Sequence, residues 1–217
     1  MTPARISKPA AQRRDDILDA AQRLFTTKGV QATSVEDILQ DVGIAKGTLY
    51  YHFRSKDEIL QGIITRTTER VAVKARQVAD RPDPVITRFL GVLAAMRVDA
   101  PELALAETLH GPGNAEFHVL SIVEMVRAIT PILAEVVEQG VAEGSFSTEH
   151  PQDMVEILLT SMGMLLDDGI FRGEADQIPR RTAALISAAE TLLGCRPGAL
   201  ATAAHDMRIA GATGGAR

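Results

Sequence analysis

The chain has 217 residues, 46% hydrophobic and 24% charged, with a net charge of −5. That is ordinary globular usage, enough for a sizeable core, and it excludes a wholly disordered or collagen-like chain. A single cysteine, Cys195, excludes an internal disulfide and any Cys-cluster zinc or iron–sulfur site, and is consistent with a reducing compartment.

The opening stretch, MTPARISKPAAQRRDD, has basic residues with no apolar run behind them, so no secretory signal is expected. Apolar residues then recur at spacings of three and four, which predicts helices nearly throughout. The first helix is expected over about Ala10–Lys28, with Ile17, Ala20, Ala21, Leu24 and Phe25 inward and Gly29 as its stop. Thr33 opens a capping-box pattern with Glu36, ahead of a short helix carrying Val35, Ile38, Leu39 and Val42 and ending at Gly43. A third short helix follows over about Ala45–His52. Ser55 and Glu58 form a second capping-box pattern, opening a long helix to about residue 79 with Ile59, Leu60, Ile63, Ile64 and Val71 inward.

Asp80–Pro84 reads as a junction, because proline cannot continue a helix. Further helices are expected at about 84–98, 101–109, 115–143, 151–171 and 177–194, with Pro131 kinking the one at 115–143. That helix is apolar nearly all round and reads as a central buried one. It also contains the most apolar stretch, Val119–Val137. Glu124, Arg127, Pro131 and Glu135 interrupt that stretch, so no membrane association is expected and the reading is cytoplasmic. From Ala199 onward the chain is rich in Ala and Gly, and residues 197–217 are expected to form a mobile tail.

The segment Ser34–Phe53, SVEDILQDVGIAKGTLYYHF, is short helix, glycine turn, short helix, the arrangement of a helix-turn-helix. A helix of about eight residues spans about 12 Å, close to the width of the DNA major groove. The residue chemistry suits that task. Gly47 lets the helix backbone approach DNA. Lys46 can reach a base edge or a phosphate, and Thr48, Tyr50, Tyr51 and His52 can hydrogen-bond phosphates. Lys56, Thr33 and Ser34 stand at helix starts that favour anions. Leu49 and Phe53 are assigned to the core. Residues 1–60 hold nine Lys and Arg against eight Asp and Glu, so the chain's acidity lies downstream of this segment.

Over Ile17–Leu60 the sequence resembles the TetR-type (TetR/AcrR) transcriptional regulators. The resemblance is carried by ILDAAQRLF, Gly29, Thr33-Ser34, Val42-Gly43-Ile44, Lys46-Gly47-Thr48-Leu49-Tyr50-Tyr51-His52-Phe53 and Lys56. Ala45 stands where the family often has Ser. The resemblance implies an all-α fold: a three-helix helix-turn-helix DNA-binding domain, placed at 10–60, followed by a larger helical bundle for ligand binding and dimerisation, placed at 61–196. It also implies that Thr33, Ser34, Lys46, Gly47, Thr48, Tyr50, Tyr51, His52 and Lys56 contact operator DNA.

One recognition helix reads few base pairs, so a homodimer is expected, with half-sites about 34–36 Å apart or a multiple of it. The apolar stripes of the last two expected helices, Met154, Ile157, Leu158, Ser161 and Met162 with Leu185, Ala188, Ala189 and Leu192, are the candidate dimer interface. In the family the corresponding helices form a four-helix interface, and those between surround a ligand pocket. Candidate pocket residues for a small-molecule effector are Phe89, Leu93, Met96, Arg97, Phe117, Leu120, Ser121, Met125 and Leu165.

The reading is therefore a ligand-responsive repressor of a palindromic double-stranded operator, with no cofactor, no metal and no catalytic residue. The competing reading is a helical metal-dependent enzyme using Glu107, His110 and His118, since Glu-x-x-His puts two ligands on one helical face. A third keeps DNA binding but makes the protein an activator or a partner-controlled regulator.

Overall fold

Apolar residues at three- and four-residue spacing fold into helix after helix, and among the described residues there is no strand. The computed structural model describes residues 9–97, 100–109, 111 and 113–214, and side chains within that range other than those of 100–102 and 208–214. The helices are α1 (Ala10–Lys28), α2 (Val35–Val42), α3 (Lys46–His52), α4 (Lys56–Ala79), α5 (Val85–Ala95), α6 (Ala100–Leu109), α7 (Ala115–Ala142), α8 (Pro151–Leu165), α9 (Ile178–Leu192) and α10 (Ala199–Gly214). None of them is long and apolar enough to cross a membrane.

Contacts divide the chain into two compact units, Met1–Thr67 with Ala100–His118 and Thr68–Asp99 with Val119–Arg217. This division differs from a cut near residue 60, because α6 packs on α1 and so joins the first unit. In that unit Ile17, Leu18, Ala21 and Phe25 of α1, Ile38 of α2, Leu49 of α3, Phe53, and Ile59, Leu60 and Ile63 of α4 form the core. Leu105 and Leu109 of α6 are buried as well. The loop after α6 is closed by the Asn114 amide, which donates to the Thr108 carbonyl at 3.1 Å, and Gln31 donates to the Gly113 carbonyl and the Asn114 Oδ1 at 3.3 Å each.

The cap of α2 sits one residue later than the Thr33–Glu36 expectation. Ser34 is the N-cap: its hydroxyl accepts from the Asp37 N–H at 3.1 Å, and its own N–H donates to the Asp37 carboxylate at 2.9 Å. Thr33 is unavailable because its hydroxyl donates to the Gly29 and Leu24 carbonyls, at 2.8 and 3.3 Å. Asp37 also pairs with Lys28 at 2.9 Å. The Lys28 ammonium, then the Ser34 bonds, hold its carboxyl down at about 2. At the other end of α2, Gly43 at φ 70° takes the left-handed conformation that frees the chain to turn into α3. The second expected capping box forms by half: the Glu58 N–H donates to Ser55 Oγ at 3.1 Å, but the Glu58 carboxylate takes the Arg54 N–H, one residue before the cap, at 2.6 Å.

In the second unit Val71, Ala75 and Ala79 of α4, Val85, Phe89 and Val92 of α5, and Ile129, Leu133, Val136 and Val137 of α7 meet Val155 and Leu159 of α8 and Ala189 of α9. Phe146 stands edge-on to Phe89, ring centroids 5.7 Å apart, against the bare face of Gly140 where any side chain would collide with it. Arg88 is buried, and its guanidinium donates to the Ala79 and Asp83 carbonyls, both at 3.0 Å, and to Gln139 Oε1 at 2.6 Å. It thereby satisfies the Ala79 carbonyl at the end of α4 and the Asp83 carbonyl within the junction, which the break in the helix leaves without helical donors.

Three expectations are corrected here. The helix expected to reach 171 stops at Leu165, because the Asp167 carboxylate takes the Gly169 and Ile170 N–H groups in a turn, at 2.8 and 3.0 Å. Beyond it, Arg181 packs over the Phe171 ring, 4.3 Å from its centroid, and pairs with Glu174. The helix α7 is not apolar-buried all round: Val119 and Val123 are exposed, and the continuous core begins at Val126. The segment expected as a tail without packing partners contains α10, whose Leu200 is buried in the second unit's core. One well-placed leucine in an Ala/Gly-rich run supplies the contact that composition hides.

Two outcomes follow from these bonds. Arg88→Ala leaves three acceptors short of a donor and lowers unfolding free energy by about 3 kcal/mol in urea denaturation. Because the folded Asp37 carboxyl sits at about 2 against an ordinary 3.8, it stabilises the fold above about pH 4 and loses that contribution as pH falls towards 2. Asp37→Asn flattens that part of the stability–pH curve.

Candidate nucleic-acid interface

A helix of seven residues cannot stand by itself in water. What holds α3 is the burial of Leu49 and, at its end, Phe53, which are 0% and 2% exposed. Everything else on α3 follows from the 100° per residue that separates helical side chains. Lys46, Gly47, Tyr50 and Tyr51 face solvent, with Tyr50 43% and Tyr51 80% exposed. Thr48 and His52 are half-buried at the edges. Tyr51 and His52 stand edge to face with ring centroids 5.0 Å apart, and the Lys46 ammonium lies 5.8 Å from the Tyr50 centroid. Lys46 also approaches Glu36 of α2 at 3.5 Å, with both side chains about two-thirds exposed. That contact is too weak to hold the lysine back from a stronger anion.

A Cβ placed on Gly47 meets nothing within 4 Å. The protein itself therefore gives no packing reason for glycine there, and helix propensity argues against it.

The remaining expected DNA contacts have other work. Thr33 is 1% exposed, with its hydroxyl spent on Gly29 and Leu24. The Lys56 ammonium donates to the Val30 and Thr33 carbonyls, at 2.7 and 3.1 Å, and fastens the α1–α2 loop to the start of α4. Ser34 is exposed but its hydroxyl is engaged in the α2 cap. In the folded chain these three hold α2 and α3 in place. Two residues the sequence did not single out belong with them: Asp37, the true partner of the cap, and Arg23, whose guanidinium pairs with Asp41 at 2.6 Å and ties α2 to α1. For Asp37 the signal is its place three residues after Ser34, and for Arg23 only the opposite charge of Asp41 on the next helix.

In the second unit the expected pocket and dimer residues are partly exchanged. A cavity of about 170 Å³ is lined by Phe89 and Leu93, as expected for a pocket, but also by Leu158, Met162, Leu185 and Ala189, expected at a dimer interface. Met154 packs against the core. Of the expected interface, Ile157 and Ala188 are exposed and Ser161 and Leu192 half-exposed. Ala184 and Ser187 of α9 are exposed as well, so α9 presents small residues at 184, 187 and 188 while α8 presents Ile157. Among the other expected pocket residues, Met96 and Met125 pack against the core, Arg97 is exposed, and Phe117, Leu120, Ser121 and Leu165 are half-buried outside the cavity lining. Leu166, which follows Leu165 at the end of α8, takes the lining position, one helical step round. Among the described residues no group of three His, Cys, Asp or Glu side chains could hold a metal. Glu107 is exposed, His118 is buried, and His110 lies outside the described residues.

Comparison with known proteins agrees with this arrangement. The sequence matches the bacterial regulatory proteins of the tetR family over residues 17–63 and the tetracyclin repressor-like C-terminal domain over residues 100–188. It is 33% identical over 153 residues to the HTH-type transcriptional repressor KstR2 of Rhodococcus jostii, spanning 68% of this chain and 74% of that protein. It is 27% identical over 161 residues to the HTH-type transcriptional regulator TtgR of Pseudomonas putida, spanning 67% of this chain and 76% of that one. The crystal structure of RolR in complex with the ligand resorcinol shares the fold at a TM-score of 0.63 and 18% identity, over 90% of this chain and 94% of RolR. The metal-dependent enzyme reading finds no support in these relatives. The chain belongs to the TetR family of DNA-binding bacterial transcriptional regulators and is not an enzyme.

Proposed function

We propose that the protein is a cytoplasmic homodimeric repressor that binds a palindromic operator through α3 and is released by a small molecule held in its second unit. The observation that carries the DNA contact is the outward face of α3, where Lys46, Tyr50 and Tyr51 surround the bare backbone of Gly47 while Leu49 and Phe53 anchor it. Lysine and tyrosine hydroxyls supply phosphate and base-edge contacts, and an absent side chain lets the helix axis come close to the groove. Exposed Ile157 on α8 and the small exposed residues Ala184, Ser187 and Ala188 on α9 support the dimer, since a second copy of the same surface can bury the isoleucine and approach α9 closely. Release by an effector is supported by the relatives, of which RolR is crystallised with resorcinol.

Selection of bound fragments from genomic DNA tests the whole reading, with an inverted repeat as the expected outcome and no enriched duplex as the result that ends it. Gly47→Ala keeps or slightly raises the melting temperature, since Ala favours a helix interior by up to about 1 kcal/mol. The same change weakens operator binding at least tenfold in a mobility-shift titration. Tyr51→Ala likewise leaves folding intact and lowers operator affinity. Lys56→Ala does the opposite of a lost phosphate contact: it lowers the melting temperature, and the slope of log affinity against log salt stays as in the parent. Ala188→Glu, on the exposed face of α9, converts the dimer to monomer in sedimentation without loss of helicity.

A further inference from the structure

The cavity in the second unit is lined by thirteen residues, and Thr182 is the only one of them with a polar side chain. Its hydroxyl already donates to the Ile178 carbonyl at 2.8 Å. A carboxylate or phosphate placed among Phe89, Leu133, Met162, Leu185 and Ile186 would surrender its hydration and receive no donor in return. The volume of about 170 Å³ sets the size. A dry protein cavity of about 150 Å³ lined by Leu, Ile and Phe takes up one benzene ring.

One wall of the cavity is Leu200, in the first turn of α10. That turn is not capped by its own residues. The Glu190 carboxylate on α9 accepts from the N–H groups of Gly198, Leu200 and Ala201 at 2.8, 3.0 and 3.3 Å. Those bonds, with Gly198 foremost, keep its carboxyl below the usual range, as bonds to the ionised form do. The match to the C-terminal domain covers residues 100–188, and Glu190 and α10 lie outside it.

We propose that this cavity is a binding site for an uncharged, apolar molecule of about one ring, closed on one side by α10 through the Glu190 latch. The proposal rests on the effector-released reading above and names the chemistry of that effector. Nothing in the lining recognises charge, so shape and desolvation select the ligand. The latch decides how firmly the last wall stands.

The full chain is titrated with toluene and, in parallel, with benzoate, which has the same ring and a negative charge. Thermal unfolding and methyl NMR spectra are followed at pH 7. Saturating toluene raises the melting temperature by several degrees and shifts the methyl signals of lining leucines, and benzoate does neither. Ala189→Phe fills the cavity and abolishes the toluene response. Should that variant fail to fold, Thr182→Val is the check, since it removes the last polar group and keeps or strengthens toluene binding. Glu190→Ala, outside the lining, weakens toluene about tenfold or more.

No response of the parent chain to toluene, an equal response to benzoate, or an unchanged response in a folded Ala189→Phe overturns the binding site. Unchanged toluene affinity in Glu190→Ala overturns the latch. Duplex binding is measured on the same preparations. A chain that binds its duplex and ignores toluene loses this inference alone, and one that takes toluene and no duplex loses the regulator reading alone.

Discussion

A two-turn helix has no stability of its own, and the first unit is arranged around that fact. Leu49 and Phe53 give α3 its hold on the core, and their burial fixes the rotation of every other residue on it. The supports are polar and local. Ser34 and Asp37 start α2, Gly43 turns it into α3, and Lys56 ties the α1–α2 loop to α4. The lysine and hydroxyls of that framework are therefore engaged within the fold, while Lys46, Tyr50 and Tyr51 of α3 face outward.

This division of labour explains which parts of the site the sequence makes legible. The all-helical architecture follows from periodicity, and the family from one dense local motif in which almost every position is either buried or turn-forming. Within the motif, burial separates cleanly: Leu49 inward, Tyr50 and Tyr51 outward. Hydrogen-bond roles do not. Thr33, Ser34 and Lys56 carry the chemistry of anion contacts, and only the folded chain reveals that Thr33 reaches back to Gly29 and that Lys56 already has two carbonyls. The cap of α2 shows the same limit on a smaller scale, since Thr33–Glu36 and Ser34–Asp37 are equally good patterns and the decision falls to what else Thr33 bonds.

The second unit is less legible for a different reason. An apolar residue on α8 or α9 reads alike whether it meets its own core, a cavity or another copy of the chain. Leu158 and Leu185 line the cavity while Ile157 and Ala188 face solvent, each pair differing by one or a few helical steps. Local bonds set the ends: Asp167 stops α8, and Arg88 gathers the loose carbonyls where α4 gives way to α5. The Ala- and Gly-rich terminus misleads most, because Leu200 is the residue that is buried among its described side chains and its start is supplied by a residue eight positions earlier.

That borrowed start has a mechanical consequence. A helix whose first turn hangs on a neighbouring helix's carboxylate cannot lift away without also releasing that carboxylate, so the Glu190 bonds and the seat of Leu200 are kept or given up together.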